Sequence, residues 1–214
     1  MVEKNLNILL ADDHKILRQG LKKILDESFK NTHYGEASNS AEVIDLLNEK
    51  KWDIAILDLN MPGKSGLEIL KDIKALRSEI PVLILSMYPE EQFALRVIKS
   101  GASGYLTKDS APEELVLAVN KILEGRKFIT QSLAELLASE VKKPDAEYVH
   151  QLLSDREYEI FLMIAAGKTV SQIGEELSLS PKTISTHRAH ILQKTKLKNN
   201  ADISLYAIRH KLLE

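Results

Sequence analysis

Polar residues interrupt four apolar runs in the first half of the sequence. Asp12 and Asp13 follow LNILLA, Asp58 follows IAIL, Ser86 follows VLIL, and Lys108 follows GYLT. Adjacent carboxylates repel, and a buried carboxylate loses its hydration, so an acidic pair set against apolar chain needs a counter-charge. A hard divalent cation held by oxygens and waters supplies one, and Mg2+ is the ordinary choice. Asp58 has a further use. A carboxylate can attack phosphorus to give an acyl phosphate, which makes Asp58 the candidate nucleophile. Mg2+, the Lys108 ammonium and the Ser86 hydroxyl would then spread the charge on the phosphoryl oxygens. The loop Asn60-Met61-Pro62-Gly63, with Gly66 beyond it, keeps bulk away from an incoming group and leaves backbone amides available. Singly, each residue says little: an Asp at a strand end is usually a turn or helix-cap residue. The set carries the inference.

These ends must be gathered by the elements between them. Apolar runs at residues 6–11, 33–37, 54–57, 82–85 and 103–106 read as strands, the second weakly. Helix-period segments alternate with them at residues 14–26, 41–50, 66–77, 90–99 and 112–123; the first places Ile16, Leu17, Leu21, Ile24 and Leu25 on one face. Repeated strand-then-helix units predict an α/β doubly wound parallel sheet of five strands. The common order is 2-1-3-4-5, with ligands beyond the carboxyl ends of the strands. Strands one and three are then neighbours, about 5 Å apart, and their terminal carboxylates converge.

A length of 214 residues allows one large domain or two modest ones, and 44% hydrophobic with 28% charged residues fits a globular protein with a true core. No apolar run approaches the roughly 20 residues of a membrane span, so no membrane partner is expected. Nor is a signal peptide expected, since Glu3, Lys4 and Asn5 precede a short apolar run. Cysteine is absent, which excludes disulfides, zinc-thiolate sites and thiol catalysis and suits a reducing, cytoplasmic setting. Charge is unevenly divided. Residues 1–141 hold 18 Lys+Arg against 22 Asp+Glu, whereas residues 142–214 hold 11 against 9. The stretch from Ser178 to Asn200 carries Lys182, Arg188, Lys194, Lys196 and Lys198, with His187 and His190, and no acid. Charge alone leaves two readings open, a solvated helix face or a phosphate-contacting one.

Together, LLADDH, ILDLNMPGKSG, LILSMY and GYLTKD resemble the acidic pair, phosphoacceptor loop, hydroxyl position and lysine loop of bacterial response-regulator receiver domains, which are flavodoxin-like. The resemblance spans about residues 5–124. It implies that Asp58 takes a phosphoryl group from a sensor histidine kinase. It also implies that Asp13, Asp58 and the backbone carbonyl of Asn60 bind Mg2+, with Asp12 acting mainly through water. Ser86 and Tyr105 match the family's switch pair, in which the hydroxyl moves toward the phosphate and the ring turns inward. One departure is Asp109 after Lys108, where many receivers have a proline, often in a cis bond; that loop form is not expected here.

The tail is organised differently. Residues 126–148 read as a linker with an embedded helix carrying Leu133, Leu136, Leu137 and Val141, ended by Lys142-Lys143-Pro144-Asp145. This gives expected domains at 1–125 and 149–214. Ser154 and Glu157 form a capping-box pattern before Ile160, Phe161, Ile164 and Ala165, and Gly167 closes that helix. A short helix over residues 170–177, a tight turn, and a helix opened by Ser180-Pro181 follow. This last helix buries Ile184 and Ile191 and shows Lys182, Ser185, Thr186, Arg188 and Ala189, while a final helix covers residues 201–213. Such a pair of helices lays the second one in a DNA major groove. The coincidence with the acid-free stretch favours phosphate contact, so Lys182, Thr183, Ser185, Thr186, Arg188, Ala189 and Lys194 are the candidate DNA-binding residues.

Residues 149–214 closely resemble the LuxR-type helix-turn-helix, and the whole chain resembles a NarL/FixJ-family response regulator. Thr195 departs from the pattern, standing where relatives usually have a larger apolar residue. The function implied is a transcription factor whose phosphorylation promotes homodimerisation and sequence-specific binding to double-stranded DNA. Ile203, Leu205, Tyr206 and Ile208 of the last helix are the candidate dimer contact. The rival is a phosphatase of the haloacid dehalogenase type, which also uses a strand-end Asp, Mg2+, a hydroxyl and a lysine. It needs a second acid two positions beyond the nucleophile, where this chain has Asn60. It also leaves the basic tail unexplained, so a non-enzymatic role is expected.

Overall fold

The computed structural model describes residues 5–61, 64–141 and 148–213. Contacts divide the chain into two compact units, Met1–Leu137 and Ala138–Glu214. The first unit alternates β1 (Leu6–Ala11), α1 (Lys15–Ser28), β2 (Thr32–Ala37), α2 (Ser40–Glu49), β3 (Ile54–Asp58), α3 (Gly66–Leu76), β4 (Val82–Ser86), α4 (Glu90–Lys99), β5 (Gly104–Thr107) and α5 (Pro112–Leu123). Its sheet is parallel throughout, in the order β2-β1-β3-β4-β5.

Every residue of β3 and β4 is buried, as expected for central parallel strands covered on both faces. On one face Ile8, Leu10, Ile54, Ile56, Leu83, Leu85 and Leu106 pack with Leu21 and Leu25 of α1 and Leu115, Val119 and Ile122 of α5. Five strand ends differ from the sequence reading, each by one residue; β2 begins at Thr32 and β4 ends at Ser86. β3 includes Asp58, because Asp58 pairs with Leu85, and β5 begins at Gly104 and reaches Thr107, which pairs with Ser86. The ladder therefore continues into the polar residues.

α6 (Gln131–Val141) follows, with Leu133 fully buried; the sequence expected to end it, 142–145, lies outside the described residues. In the second unit a 3-10 turn at Val149–Leu152 precedes α7 (Asp155–Ala165), α8 (Val170–Glu176), α9 (Pro181–Thr195) and α10 (Asn200–Arg209). Ser154 and Glu157 form the expected capping box. A second box, Thr169 with Gln172, opens α8. α10 is shorter than its sequence pattern. Lys211 adopts φ 55°, the Lys211 N–H donates to Ile208 O at 3.0 Å and the Leu212 N–H to Ala207 O at 2.8 Å. That pair of bonds closes the helix and folds Leu212 back to bury it. Among the described residues no helix is long and apolar enough to cross a membrane.

Gly66 fixes how closely α3 approaches the end of β3. A Cβ there would lie 2.4 Å from Leu59 Cα and 2.5 Å from the Asp58 carbonyl oxygen, both backbone atoms that cannot swing away. Alanine inside a helix is ordinarily favoured over glycine by about 1 kcal/mol, but forced overpacking costs about 1–3 kcal/mol or more. The clash therefore decides the sign. Gly66→Ala is expected to lower the urea midpoint, and an unchanged or raised midpoint would show that the β3–α3 junction relaxes freely.

Candidate phosphoacceptor and nucleic-acid sites

The carboxyl ends of β1, β3, β4 and β5 converge as the strand order requires. Asp58 is almost fully buried, and its Oδ2 accepts from Lys108 Nζ at 2.8 Å. The same ammonium lies 2.6 Å from Asp12 Oδ2, so one cation bridges two carboxylates; all three side chains are at most 6% exposed. Lys108 is delivered by β5 and held through its N–H, which donates to the Ser86 carbonyl at 2.7 Å. Among the described residues no cis peptide bond occurs, so the bond after Lys108 is trans.

Burial pushes the Asp58 carboxyl up to about 6, opposed by Lys108 and reinforced by the charge on Asp12. Burial also works against the charge on Lys108, but Asp58 and Asp12 outweigh it and hold the ammonium above its ordinary range. Asp58 Oδ1, by contrast, is buried without a hydrogen-bond partner. An orphaned buried carboxylate oxygen is costly unless something positive is meant to meet it. Donor atoms of Asp12, Asp13, His14 and Asp58 all lie within 4.8 Å of one another, a set of hard oxygens plus one imidazole that fits a divalent cation.

The two acids of the pair are unequal. Asp12 is buried, with Oδ1 accepting the His14 N–H at 2.7 Å and Oδ2 beside Lys108. Asp13 is exposed and meets the His14 ring, Nδ1 to Oδ1, at 2.8 Å. Sequence reasoning missed three neighbours. His14 borders the acids directly, which its adjacency in DDH could have signalled. Arg18 donates to the Asp12 carbonyl and to Glu36 Oε2, the latter at 3.1 Å, and so anchors the end of β1. Tyr88 accepts from Asn60 Nδ2 on its hydroxyl at 3.3 Å.

Ser86 and Tyr105 meet through the backbone of Tyr88. Ser86 Oγ accepts the Tyr88 N–H at 3.1 Å, and Tyr105 Oη donates to the Tyr88 carbonyl at 2.6 Å. Tyr105 is fully buried, so its ring lies inward; burial foremost raises its phenol well above the ordinary range. Asn60 is half-buried beyond β3, while Pro62 and Gly63 of the same loop lie outside the described residues.

In the second unit α9 exposes Lys182, Ser185, Thr186 and Ala189, leaves Thr183 and Arg188 half-buried, and buries Ile184 and Ile191. Ser180 caps α9 through the Thr183 N–H, with Pro181 in its first turn. Gly174 permits the tight turn before it, since a Cβ there would lie 2.7 Å from the Leu179 carbonyl oxygen. Arg188 is not loose: its Nε donates to Asn200 Oδ1 at 2.7 Å. Ser185 and Thr186 hydroxyls bond back to the Pro181 and Lys182 carbonyls.

Lys194, read from sequence as free to meet phosphate, pairs with Glu157 at 2.6 Å. Burial works to raise the Glu157 carboxyl, but Lys194 and Ser154 outweigh it and hold it below the usual range. Thr195 is buried with its hydroxyl on the Ile191 carbonyl at 2.7 Å, so the helix itself satisfies the polar atom. Of the expected dimer contact, Ile203 is core and Tyr206 half-buried, while Leu205 and Ile208 are 56% and 62% exposed.

The position of Asp58 makes a pH prediction. Its folded-state value, raised from 3.8 to about 6, means that the ionised form is disfavoured by folding. The penalty is absent below the unfolded value and complete above the folded one. In chelator, Asp58→Asn should therefore stabilise the chain near neutrality by on the order of 2–3 kcal/mol. The gain should shrink as pH falls from 6 towards 3.8. Urea unfolding across that range checks it, and a gain that grows on acidification contradicts the assignment.

Comparison with known proteins agrees with this geometry. Residues 8–120 match the family described as response regulator receiver domain, and residues 151–207 match bacterial regulatory proteins, luxR family. The chain is 33% identical over 208 residues to the response regulator UvrY of Escherichia coli strain K12, covering 97% of this chain and 95% of that one. It is 35% identical over 217 residues to the oxygen regulatory protein NreC of Staphylococcus epidermidis, covering 98% and 100% respectively. Among solved structures it is similar to RcsB from Salmonella enterica serovar Typhimurium bound to a promoter with the phosphomimetic BeF3-. That likeness has a TM-score of 0.64 and 28% identity over 95% of this chain and 98% of that one. With a receiver match over more than half its length and a LuxR-type match behind it, the chain belongs to the NarL/FixJ family of two-component response regulators.

Proposed function

We propose that Asp58 is the phosphoacceptor through which a sensor histidine kinase controls DNA binding by the second unit, in the cytoplasm. The observation that carries this reading is the orphaned Asp58 Oδ1, buried beside Lys108 and the acidic pair. Oδ1 attacks the phosphorus of a phosphohistidine, the phosphorus–nitrogen bond breaks, and the electron pair leaves with the imidazole. Lys108 and the Ser86 hydroxyl take up charge on the phosphoryl oxygens. Asp13, Asp58 and the Asn60 carbonyl hold Mg2+, which when bound neutralises developing negative charge at this site. Asp12 acts mainly through water, a division supported by its two oxygens being already engaged by His14 and Lys108. Asn60 places an amide, donating to Tyr88, where a phosphatase would need its acid. Hydrolysis of the acyl phosphate is therefore slow, and the chain serves as a switch.

In the second unit Lys182 and Arg188 meet phosphates, and Thr183, Ser185, Thr186, Arg188 and Ala189 lie along the groove. Lys194 joins them only by exchanging Glu157 for a phosphate. A solved structure of RcsB holds two dimers on two parallel DNAs. We infer the same dependence here: one helix-turn-helix covers a half-site, phosphorylation favours the dimer, and Leu205 and Ile208 supply the exposed apolar contact.

A small-molecule phosphodonor with Mg2+ should label the wild-type chain once, and Asp58→Asn should abolish labelling; stoichiometric labelling of that variant sinks the proposal. Asp13→Ala should weaken Mg2+ binding more than Asp12→Ala, measured by titration calorimetry. Losing Lys182 should weaken binding to all DNA sequences alike and reduce the salt slope by about one unit. Thr186→Ala should instead change the preferred sequence in a selection from random DNA. A Lys182 variant with an altered sequence preference and an unchanged salt slope would reverse these roles.

A further inference from the structure

The backbone that joins Ser86 to Tyr105 continues, two residues on, into a contact with the next segment of the chain. Tyr88 is held by its N–H on Ser86 Oγ and by its carbonyl under Tyr105 Oη. Pro89 follows, and Glu90 opens α4. One oxygen of Glu90, Oε2, accepts from Thr130 Oγ1 at 2.6 Å and from Ser132 Oγ at 2.5 Å. These partners stand 40 and 42 positions away, so the contact is tertiary. Both lie at the start of α6. Thr130 begins that helix, its Oγ1 accepting the Leu133 N–H at 3.2 Å and its carbonyl the Ala134 N–H at 3.0 Å.

A carboxylate at this place does two things. It gives charge-assisted hydrogen bonds, stronger and shorter than neutral ones, and it sits at the positive end of the α6 dipole. The segment before α6 is tied to the same edge of the sheet: the Phe128 N–H donates to the Ser103 carbonyl at 2.8 Å, and Phe128 bridges Gly104, the neighbour of Tyr105. Leu133 is then fully buried. The start of α6 therefore rests on the two pieces of chain, 86–90 and 103–105, that carry the switch pair.

We propose that Glu90 is a positioning residue that transmits the Ser86–Tyr105 arrangement to α6, and through it to the DNA-binding unit. The proposal rests on the reading that phosphorylation of Asp58 draws in Ser86 and holds Tyr105 inward. With Tyr105 inward its hydroxyl fixes the Tyr88 carbonyl, and Pro89 passes that constraint to Glu90 because its ring leaves little backbone freedom. Glu90 then clamps the first turn of α6. When Tyr105 leaves the Tyr88 carbonyl, residues 88–90 are released. A displacement of about 1 Å takes both Glu90 bonds beyond hydrogen-bond range. The structure shows the clamped arrangement, with Tyr105 inward and both Glu90 bonds made; phosphorylation raises its population and so orders the start of α6 further.

The test is hydrogen exchange on the full chain with and without a small phosphodonor and Mg2+, read at the amides of residues 133–137, alongside DNA affinity. In the wild type phosphorylation should slow exchange there by about tenfold. Glu90→Ala should erase that slowing and reduce the DNA-affinity gain several-fold, with the rate of Asp58 labelling unchanged. Glu90→Gln keeps an acceptor oxygen and should restore part of both effects. Ser132→Ala, which leaves the Thr130 cap intact, should fall between them. If the wild type responds and Glu90→Ala responds equally, the Glu90 proposal is overturned while the receiver reading stands. If the labelled wild type shows no change in DNA affinity, the reading beneath it fails as well.

Discussion

One ammonium group organises the receiver. Lys108 lies between Asp12 and Asp58, at 2.6 and 2.8 Å, with almost no exposure of any of the three. Removing such ions from water costs several kcal/mol each, and deleting one partner of a buried pair is far worse than never having had it. The cluster still carries more negative than positive charge. Burial, with the charge on Asp12 behind it, raises the Asp58 carboxyl to about 6, and the crowded acids favour a cation among them. A stable fold alone would gain from apolar residues here.

This cluster constrains the rest of the sheet. Asp12, Asp58 and Lys108 come from β1, β3 and the end of β5, so their separation depends on registers set by Ala11 opposite Leu57, Asp58 opposite Leu85 and Ser86 opposite Thr107. A slip of one residue would turn each polar side chain to the opposite face of the sheet. The apolar faces hold the register because both are buried. The outer anchors work on the same principle: Arg18 ties the end of β1 to Glu36 of β2, and Gly66 lets α3 close on the end of β3 without a side chain between.

The second unit uses buried polar contacts for a different end. α7 is buried along its whole length, and its charged groups are committed to neighbours: Arg156 to Glu159 and the Leu177 carbonyl, Glu157 to Lys194. These bonds fix α8 and α9 relative to α7, and Asn200 fixes Arg188 from α10. The exposed residues of α9 are thereby presented on a helix fixed on two sides, with Lys194 engaged by Glu157.

Much of this was legible in the sequence, and the legible part has a common physical basis. Capping boxes at Ser154 and the Pro181 helix start involve residues three or four apart. Strand alternation and the parallel order follow from local periodicity and the crossover rule. The phosphoacceptor set could be assembled because four strand ends of a known order must meet. The capping boxes at Ser65 and Thr169 are equally local and equally legible. What sequence could not supply were choices among equivalent partners. Lys194 had acid-free neighbours in the chain and found Glu157, 37 positions away. Ile203 and Leu205 look alike in composition, yet packing buried one and left the other in solvent. Glu90 reads as an ordinary first-turn acid until Thr130 and Ser132 fold against it. By itself, then, the sequence determined the elements, their order and the residue types at the strand ends, because these depend on near neighbours and on chain direction. Only the tertiary structure decided which charges pair and which apolar side chains stay exposed, because those outcomes depend on distances between segments that no local pattern encodes.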